Sequence, residues 1–278
     1  MFIEFAGGFL TNSLALTADA GHMLSDAAAL GLSLFAAMLV LRPPTARKSY
    51  GFYRAEILAA LVNGAALIAI SAFIFVEALR RFSEPPQVGG PLMLGIAAGG
   101  LIINIVSLGL LSGGKKDNLN MHGAWLHVFT DMLGSVGAIA AGAAITLFDW
   151  YWADPVASIL ISLLVVHSAW FLIKESVSVL MENAPRHLDV DQIRLTLLNG
   201  PGVTEVHDLH VWSISSGLIA LSAHVIVADE VVVKEILAHL RHSLAEQYGI
   251  DHVTLQIEPG GLSDAAVTSE RCSLNRQQ

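Results

Sequence analysis

The chain has 278 residues, of which 54% are hydrophobic and only 14% charged, and its mean hydropathy is +0.61. A soluble globular protein carries about 25% charged residues, so this composition argues against an ordinary soluble enzyme, and a net charge of −9 leaves no basic footprint for nucleic acid. The single cysteine, Cys272, excludes an intrachain disulfide framework or a thiolate metal cluster.

A helix that crosses hydrocarbon needs roughly 20 apolar residues. Residues 1–10 are apolar but too short to cross, and they read as the end of a first helix whose beginning is missing. Five full spans follow, at about 13–41, 56–80, 91–112, 119–148 and 153–175. Arg42, Arg47, Lys48 and Arg54 surround the loop after the second helix, Lys115 and Lys116 follow the fourth, and Lys174 and Arg186 follow the sixth. These basic positions share one side, which the positive-inside rule makes cytoplasmic. The expected organisation is a transmembrane domain at 1–184, a cytoplasmic domain at 185–262 and a disordered polar tail at 263–278.

The cytoplasmic domain reads as a small α/β unit. Asp189 caps a helix that ends at Asn199-Gly200-Pro201-Gly202, and Val203–Ile214 and Leu218–Val227 are strands joined through Ser215-Ser216-Gly217. Asp229 caps a second helix with an apolar stripe of Val233, Ile236, Leu237, Leu240 and Leu244, and Gly249 ends it. Ile250–Glu258 is the last strand. The order is αββαβ, with the helices on one side of a three-stranded sheet.

Ionisable residues inside a span are costly and mark function by default. Here they come as two i, i+4 pairs, His22 with Asp26 in the second helix and His127 with Asp131 in the fifth. That spacing puts both side chains of a pair on one helix face. If the two faces meet, two imidazoles and two carboxylates converge on a set suited to a tetrahedral divalent ion, with Zn²⁺ the leading choice. Two Asp carboxylates neutralise the ion, and the empty site sheds its negative charge by taking up protons, so metal and proton compete. Asp19 has two readings, an acceptor that orients His22 from the second shell or a solvated group near the end of its span. His167 is expected to be a satisfied core histidine, and Asn104 an interhelical hydrogen-bonding group. In the cytoplasmic domain, His207, His224 and Glu258 fall on three different strands and share the face away from the helices if Val206 turns inward. His210 should then point to the opposite face, while His239, His242 and His252 are surface positions.

Taken together, the paired motifs, six helices and αββαβ domain resemble the cation diffusion facilitator family, in particular its bacterial zinc, cadmium and cobalt efflux branch. The resemblance runs from about residue 3 to 260 and is carried by Ser13-Leu14-Ala15-Leu16…Asp19-Ala20-Gly21-His22…Asp26, Tyr50-Gly51-Phe52-Tyr53-Arg54-Ala55-Glu56, His127…Asp131, Asp154-Pro155 and His207-Asp208-Leu209-His210-Val211-Trp212. It implies a transport site on His22, Asp26, His127 and Asp131, with the HxxxD form similar to zinc-preferring members. It also implies a homodimer, alternating access, proton exchange and a cytoplasmic domain of ferredoxin-like, metallochaperone-like fold that binds metal, here at His207, His224 and Glu258. Three features depart from the family's pattern: most of the first helix and the frequent His-rich N-terminus are absent, the Arg42–Arg54 loop has no His or Asp, and Gln256 stands where some members have a cytoplasmic ligand.

The expected function is efflux of Zn²⁺, with Cd²⁺ and Co²⁺ as further substrates, by metal/proton antiport. The setting is a multi-pass protein of the cell inner membrane with its C-terminal domain in the cytoplasm. No prosthetic group and no enzymatic activity are expected. Two alternatives are a metal-sensing or non-transporting partner subunit, and an intramembrane zinc hydrolase, which would need an open metal position and a general base.

Overall fold

A chain in hydrocarbon must satisfy its backbone hydrogen bonds internally, and each apolar stretch of the first 180 residues folds as a helix. The computed structural model describes residues 1–112, 119–215, 217–228 and 232–259, without the side chains of 119–124, 126 and 127. Lys115, Lys116, Ser216, Asp229, Cys272 and the 263–278 tail lie outside the described residues.

The helices are α1 (Phe2–Thr11), α2 (Leu14–Val40), α3 (Ala55–Ser83), α4 (Gly90–Ser112), α5 (Leu119–Phe148) and α6 (Ala153–Leu180). Five, α2 to α6, are long and apolar enough to cross a membrane, while α1 is a shorter apolar helix. Asn12 ends α1 in the left-handed conformation, with φ 57°, a geometry asparagine tolerates. The chain groups into two units, Met1–Phe35 with Ala59–Lys174, and Ala36–Leu58 with the chain from Glu175 onward.

In the first unit the helices pack through small residues. Ala15, Ala18, Ala138, Ala141, Ala157 and Ala169 are buried in one cluster with Leu16, Leu67, Met93 and Ile161, the composition that lets membrane helices approach closely. Leu30, Leu34, Ile102, Ile103 and Leu110 are exposed, as expected for side chains facing lipid tails. His167 is exposed on α6 rather than held in the core as expected. The neighbouring Val165 and Ala169 take the buried face instead, so the α6 periodicity turns residue 167 outward.

The start of α2 is held by a side chain from a distant part of the sequence. Asp154, fully buried in the first turn of α6, accepts hydrogen bonds from the Ser13 hydroxyl at 2.6 Å, the Leu14 N–H at 2.8 Å and the Ala15 N–H at 3.1 Å. Ser13 Oγ in turn accepts from the Leu16 N–H at 3.2 Å. Two side chains thus share the first orphan donors of α2, a capping task that one residue usually performs.

The second unit contains α7 (Val190–Leu198), β1 (Val203–Ser215), β2 (Leu218–Val227), α8 (Val233–Tyr248) and β3 (His252–Pro259). The sheet order is β1-β2-β3, with β1 antiparallel and β3 parallel to β2. Asp189 caps α7 by accepting from the Asp191 and Gln192 N–H groups, and Gly249 ends α8 at φ 65°. Ile193 and Leu197 of α7 and Ile236, Leu240 and Leu244 of α8 bury against Val206, Leu221, Ala223 and Val225 of the sheet. Val233 is 49% exposed, so the apolar stripe of α8 starts one turn later than its sequence suggests.

Asp154→Ala would leave the Leu14 and Ala15 N–H groups without their acceptor inside the protein. At roughly 1–3 kcal/mol for each unsatisfied buried donor, a loss of about 3 kcal/mol is expected in thermal unfolding of the detergent-solubilised protein. Asp154→Asn, which keeps one carbonyl acceptor, should lose about half as much.

Candidate metal centres

Residues 22 and 26 lie one turn apart on α2, and residue 131 lies on α5. The three side chains meet. The His22 ring stands between two carboxylates, with Nδ1 3.6 Å from Asp26 Oδ2 and Nε2 3.5 Å from Asp131 Oδ1. One donor atom from each of the three falls within 4.8 Å of the others, and all three residues are half-buried. For a tetrahedral ion with ligands at about 2.1 Å, neighbouring donors stand about 3.4 Å apart. Each contact is near that edge length, but the two use opposite nitrogens of one ring, and a single ion takes only one of them. His127 is in α5 one turn before Asp131; its side chain lies outside the described residues.

The surroundings of this cluster are polar and tied across helices. Ser25, beside Asp26, donates to Asn63 Oδ1 of α3 at 3.0 Å, a buried pair. Asn104 of α4 donates to the Ser135 hydroxyl of α5 at 3.3 Å, the interhelical role expected of it. Asp19 is 5% exposed, which overturns its solvated reading. Its carboxylate abuts Gly134 of α5, where an added Cβ would lie 2.8 Å from Asp19 Oδ1. A side chain at 134 would push α2 and α5 apart one turn from the cluster.

The second cluster sits on the sheet of the second unit. His207 of β1 and His224 of β2 are direct cross-strand partners, and Gln256 of β3 is paired with His224 on the other side. His224 Nδ1 is 3.0 Å from Glu258 Oε1, and His207 Nε2 is 3.8 Å from Glu258 Oε2. One donor atom from each of these three residues falls within 4.8 Å of the others. Val206 is buried, which turns His207 outward as the alternation requires. Gln256 donates to Glu258 Oε1 at 2.8 Å, so in this chain it orients the carboxylate.

His210 corrects the sequence reading. The register between β1 and β2 shifts between His207 and His210, and Asp208 adopts φ 50° at that point. The extra residue is a β-bulge. It brings His210 to the same side as His207, and Asp208 reaches both neighbours, with Oδ1 3.0 Å from His210 Nε2 and Oδ2 3.9 Å from His224 Nε2. The signal was available. Val206 and Val211 are both buried although five residues apart, an odd spacing that strict alternation cannot place on one face. His239, His242 and His252 are exposed.

Residues 1–181 match the cation efflux transmembrane domain, and residues 185–260 match the cation efflux protein cytoplasmic domain. The chain is 50% identical over 263 residues to a Bacillus subtilis protein named cadmium, cobalt and zinc/H(+)-K(+) antiporter, covering 93% of this chain and 84% of that protein. It is 45% identical over 260 residues to the zinc transporter ZitB of Escherichia coli, covering 93% and 83%. A solved structure, the metal-bound C-terminal domain of the CzcD transporter from Cupriavidus metallidurans, is 38% identical with a TM-score of 0.24, covering 26% of this chain and 99% of that one.

With His22→Ala and Asp26→Ala removing the membrane cluster, zinc titration of the full chain should report on the sheet cluster. Adding Glu258→Ala leaves two imidazoles without their shared carboxylate. Calorimetry is expected to show at least about a tenfold loss of zinc affinity.

Proposed function

We propose that this chain, which belongs to the cation efflux family, is a homodimeric secondary transporter that moves Zn²⁺ out of the cytoplasm in exchange for protons. The observation that carries the reading is the His22 ring held between the carboxylates of Asp26 and Asp131 on two different membrane-spanning helices. The proposed ligand set is His22, Asp26, His127 and Asp131, with Asp19 as the acceptor that orients the His22 ring. A second zinc binds at His207, His224 and Glu258 on the cytoplasmic sheet. The membrane domain is taken as 1–184 and the cytoplasmic domain as 185–262.

The chemistry of exchange follows from the donors. Both nitrogens of His22 face carboxylate oxygens, and these are groups that take either a proton or a metal ion. Zinc requires a bare ring nitrogen, so loading expels a proton. With two neutral imidazoles and two carboxylates the loaded site is formally neutral, and the empty one carries about −2 unless protons return. A low-dielectric site penalises that unbalanced charge strongly. Metal and protons therefore alternate in one site, and a proton gradient directed into the cell drives metal outward. Cation efflux proteins are transporters, and the proposed set of four protein ligands, which would leave no position for an activated water, favours carriage over hydrolysis. Cd²⁺ and Co²⁺, named for the Bacillus subtilis relative, are expected as further substrates of this chain.

Each of His22→Ala, Asp26→Ala, His127→Ala and Asp131→Ala is expected to abolish zinc flux into inverted vesicles while the protein stays folded and dimeric. Normal flux in any two of them would overturn the ligand set. His22→Asp makes the site richer in oxygen and adds a negative charge, so discrimination against the harder Mn²⁺ should weaken; competition flux with paired metals reads this directly. Zinc binding near neutral pH should release protons, counted by calorimetry in buffers of different ionisation enthalpy. A binding enthalpy independent of buffer, with flux indifferent to the pH gradient, would exclude antiport.

A further inference from the structure

The loop between α2 and α3, residues 41–54, is built as a compact turn. Thr45 and Lys48 exchange backbone hydrogen bonds at 3.2 and 2.9 Å, and Gly51 takes φ 65°. Two contacts fasten it to the rest of its own unit: the Tyr50 ring meets His252 edge-on at 5.5 Å, and Arg54 Nη2 is 2.7 Å from Glu182 Oε1. Between the loop and β1 lies a recess of about 450 Å³, lined by Arg47, Lys48, Tyr50, Tyr53, Trp212 and the Arg54–Glu182 pair.

The recess is positive in a chain whose net charge is −9. Glu182 is engaged by Arg54, and among the described residues no carboxylate forms an ion pair with Arg47 or Lys48. Lys48 Nζ instead lies 3.9 Å above the Phe52 ring. The depth of the recess is set by the helices. Residues 41–54 connect the end of one membrane-spanning helix at Val40 to the start of the next at Ala55, so the loop stands at the level of lipid headgroups. Tyr50, Tyr53 and Trp212 add the amphipathic rings that favour that level. Two cations without a carboxylate partner among the described residues and an aromatic wall in one cavity suit an anionic group such as a phosphate ester and disfavour a metal cation.

We propose that this recess binds the phosphate of an anionic phospholipid headgroup from the cytoplasmic leaflet. Free phosphate offers the same chemistry, but a lipid arrives already concentrated at the depth where the cavity opens. A juxtamembrane Lys or Arg contributes about 1 kcal/mol to attraction by anionic lipid, so each charge removed should weaken binding by roughly fivefold. The positive-inside effect alone asks only for charge in the loop. The recess asks also for Trp212, which stands on β1, some 160 residues further along the chain.

The test is native mass spectrometry of the purified full-length protein with phosphatidylglycerol or phosphatidylcholine added at equal concentration. Preferential retention of phosphatidylglycerol is expected. It should fall about 25-fold in Arg47→Gln/Lys48→Gln, survive in Arg47→Lys/Lys48→Arg, and fall in Trp212→Ala. Size-exclusion elution and zinc binding as in the unsubstituted chain identify the variants as folded. Equal retention of the two lipids, retention unaltered in Arg47→Gln/Lys48→Gln, or retention unaltered in Trp212→Ala would overturn the proposal. Displacement of the lipid by inorganic phosphate would overturn the lipid as occupant and reassign the recess to a soluble anion. Because the readout is lipid retention and not flux, it stands or falls separately from metal transport.

Discussion

The position of α2 is the constraint on which the membrane cluster depends. Asp154 and Ser13 fasten its first turn to the start of α6, and at 1.5 Å per residue His22 then lies about 12 Å further along the helix. Further along, Ser25 ties the helix to Asn63 of α3. With both points fixed, His22 and Asp26 present one face to Asp131 without freedom to slide. A pair of carboxylates half-buried in a membrane helix bundle repel each other unless a cation or protons lie between them, and the His22 ring occupies that place in the structure.

The sheet cluster obeys a different rule. It lies on a partly solvated face, so its side chains are brought together not by desolvation but by strand register. His207, His224 and Gln256 form a row across three strands because β1 and β3 flank β2 in one fixed alignment. The bulge at Asp208 breaks that alignment by one residue and thereby adds Asp208 and His210 to the face. Asp208 holds a left-handed conformation that most side chains avoid, and aspartate is among the residues that tolerate it at modest cost. Gln256 spends its amide on Glu258, which fixes the carboxylate that both histidines approach.

The two units also differ in what their exposed surfaces mean. Large apolar side chains on α2 and α4 are exposed because the surrounding solvent is lipid, so exposure there carries no cost. On β2 the alternation between buried and partly buried positions, and on α8 the single buried stripe, are the ordinary pattern of a water-facing domain. The basic residues of the α2–α3 loop belong to the boundary between these solvents, and the turn that holds them is fixed by Thr45, Lys48 and Gly51 rather than by a regular element.

The sequence by itself determined the elements whose cause is local. Five apolar runs of spanning length, the Asp189 cap, the Gly249 stop and the period-two pattern of Leu218–Val227 all rest on interactions within a few residues, and i, i+4 spacing places His22 with Asp26 by helix geometry alone. It also left a trace of the bulge in the odd spacing of Val206 and Val211. Tertiary structure alone decided what depends on partners far apart in the chain. Asp154 acts on residues about 140 positions away, and nothing in its own neighbourhood marks it as the cap of another helix. Asp19 is buried and His167 exposed because helix packing, and not hydrophobicity at the position, chooses which face turns inward. The approach of α2 to α5 at Gly134 likewise depends on how the helices cross, which no periodicity along a single helix records.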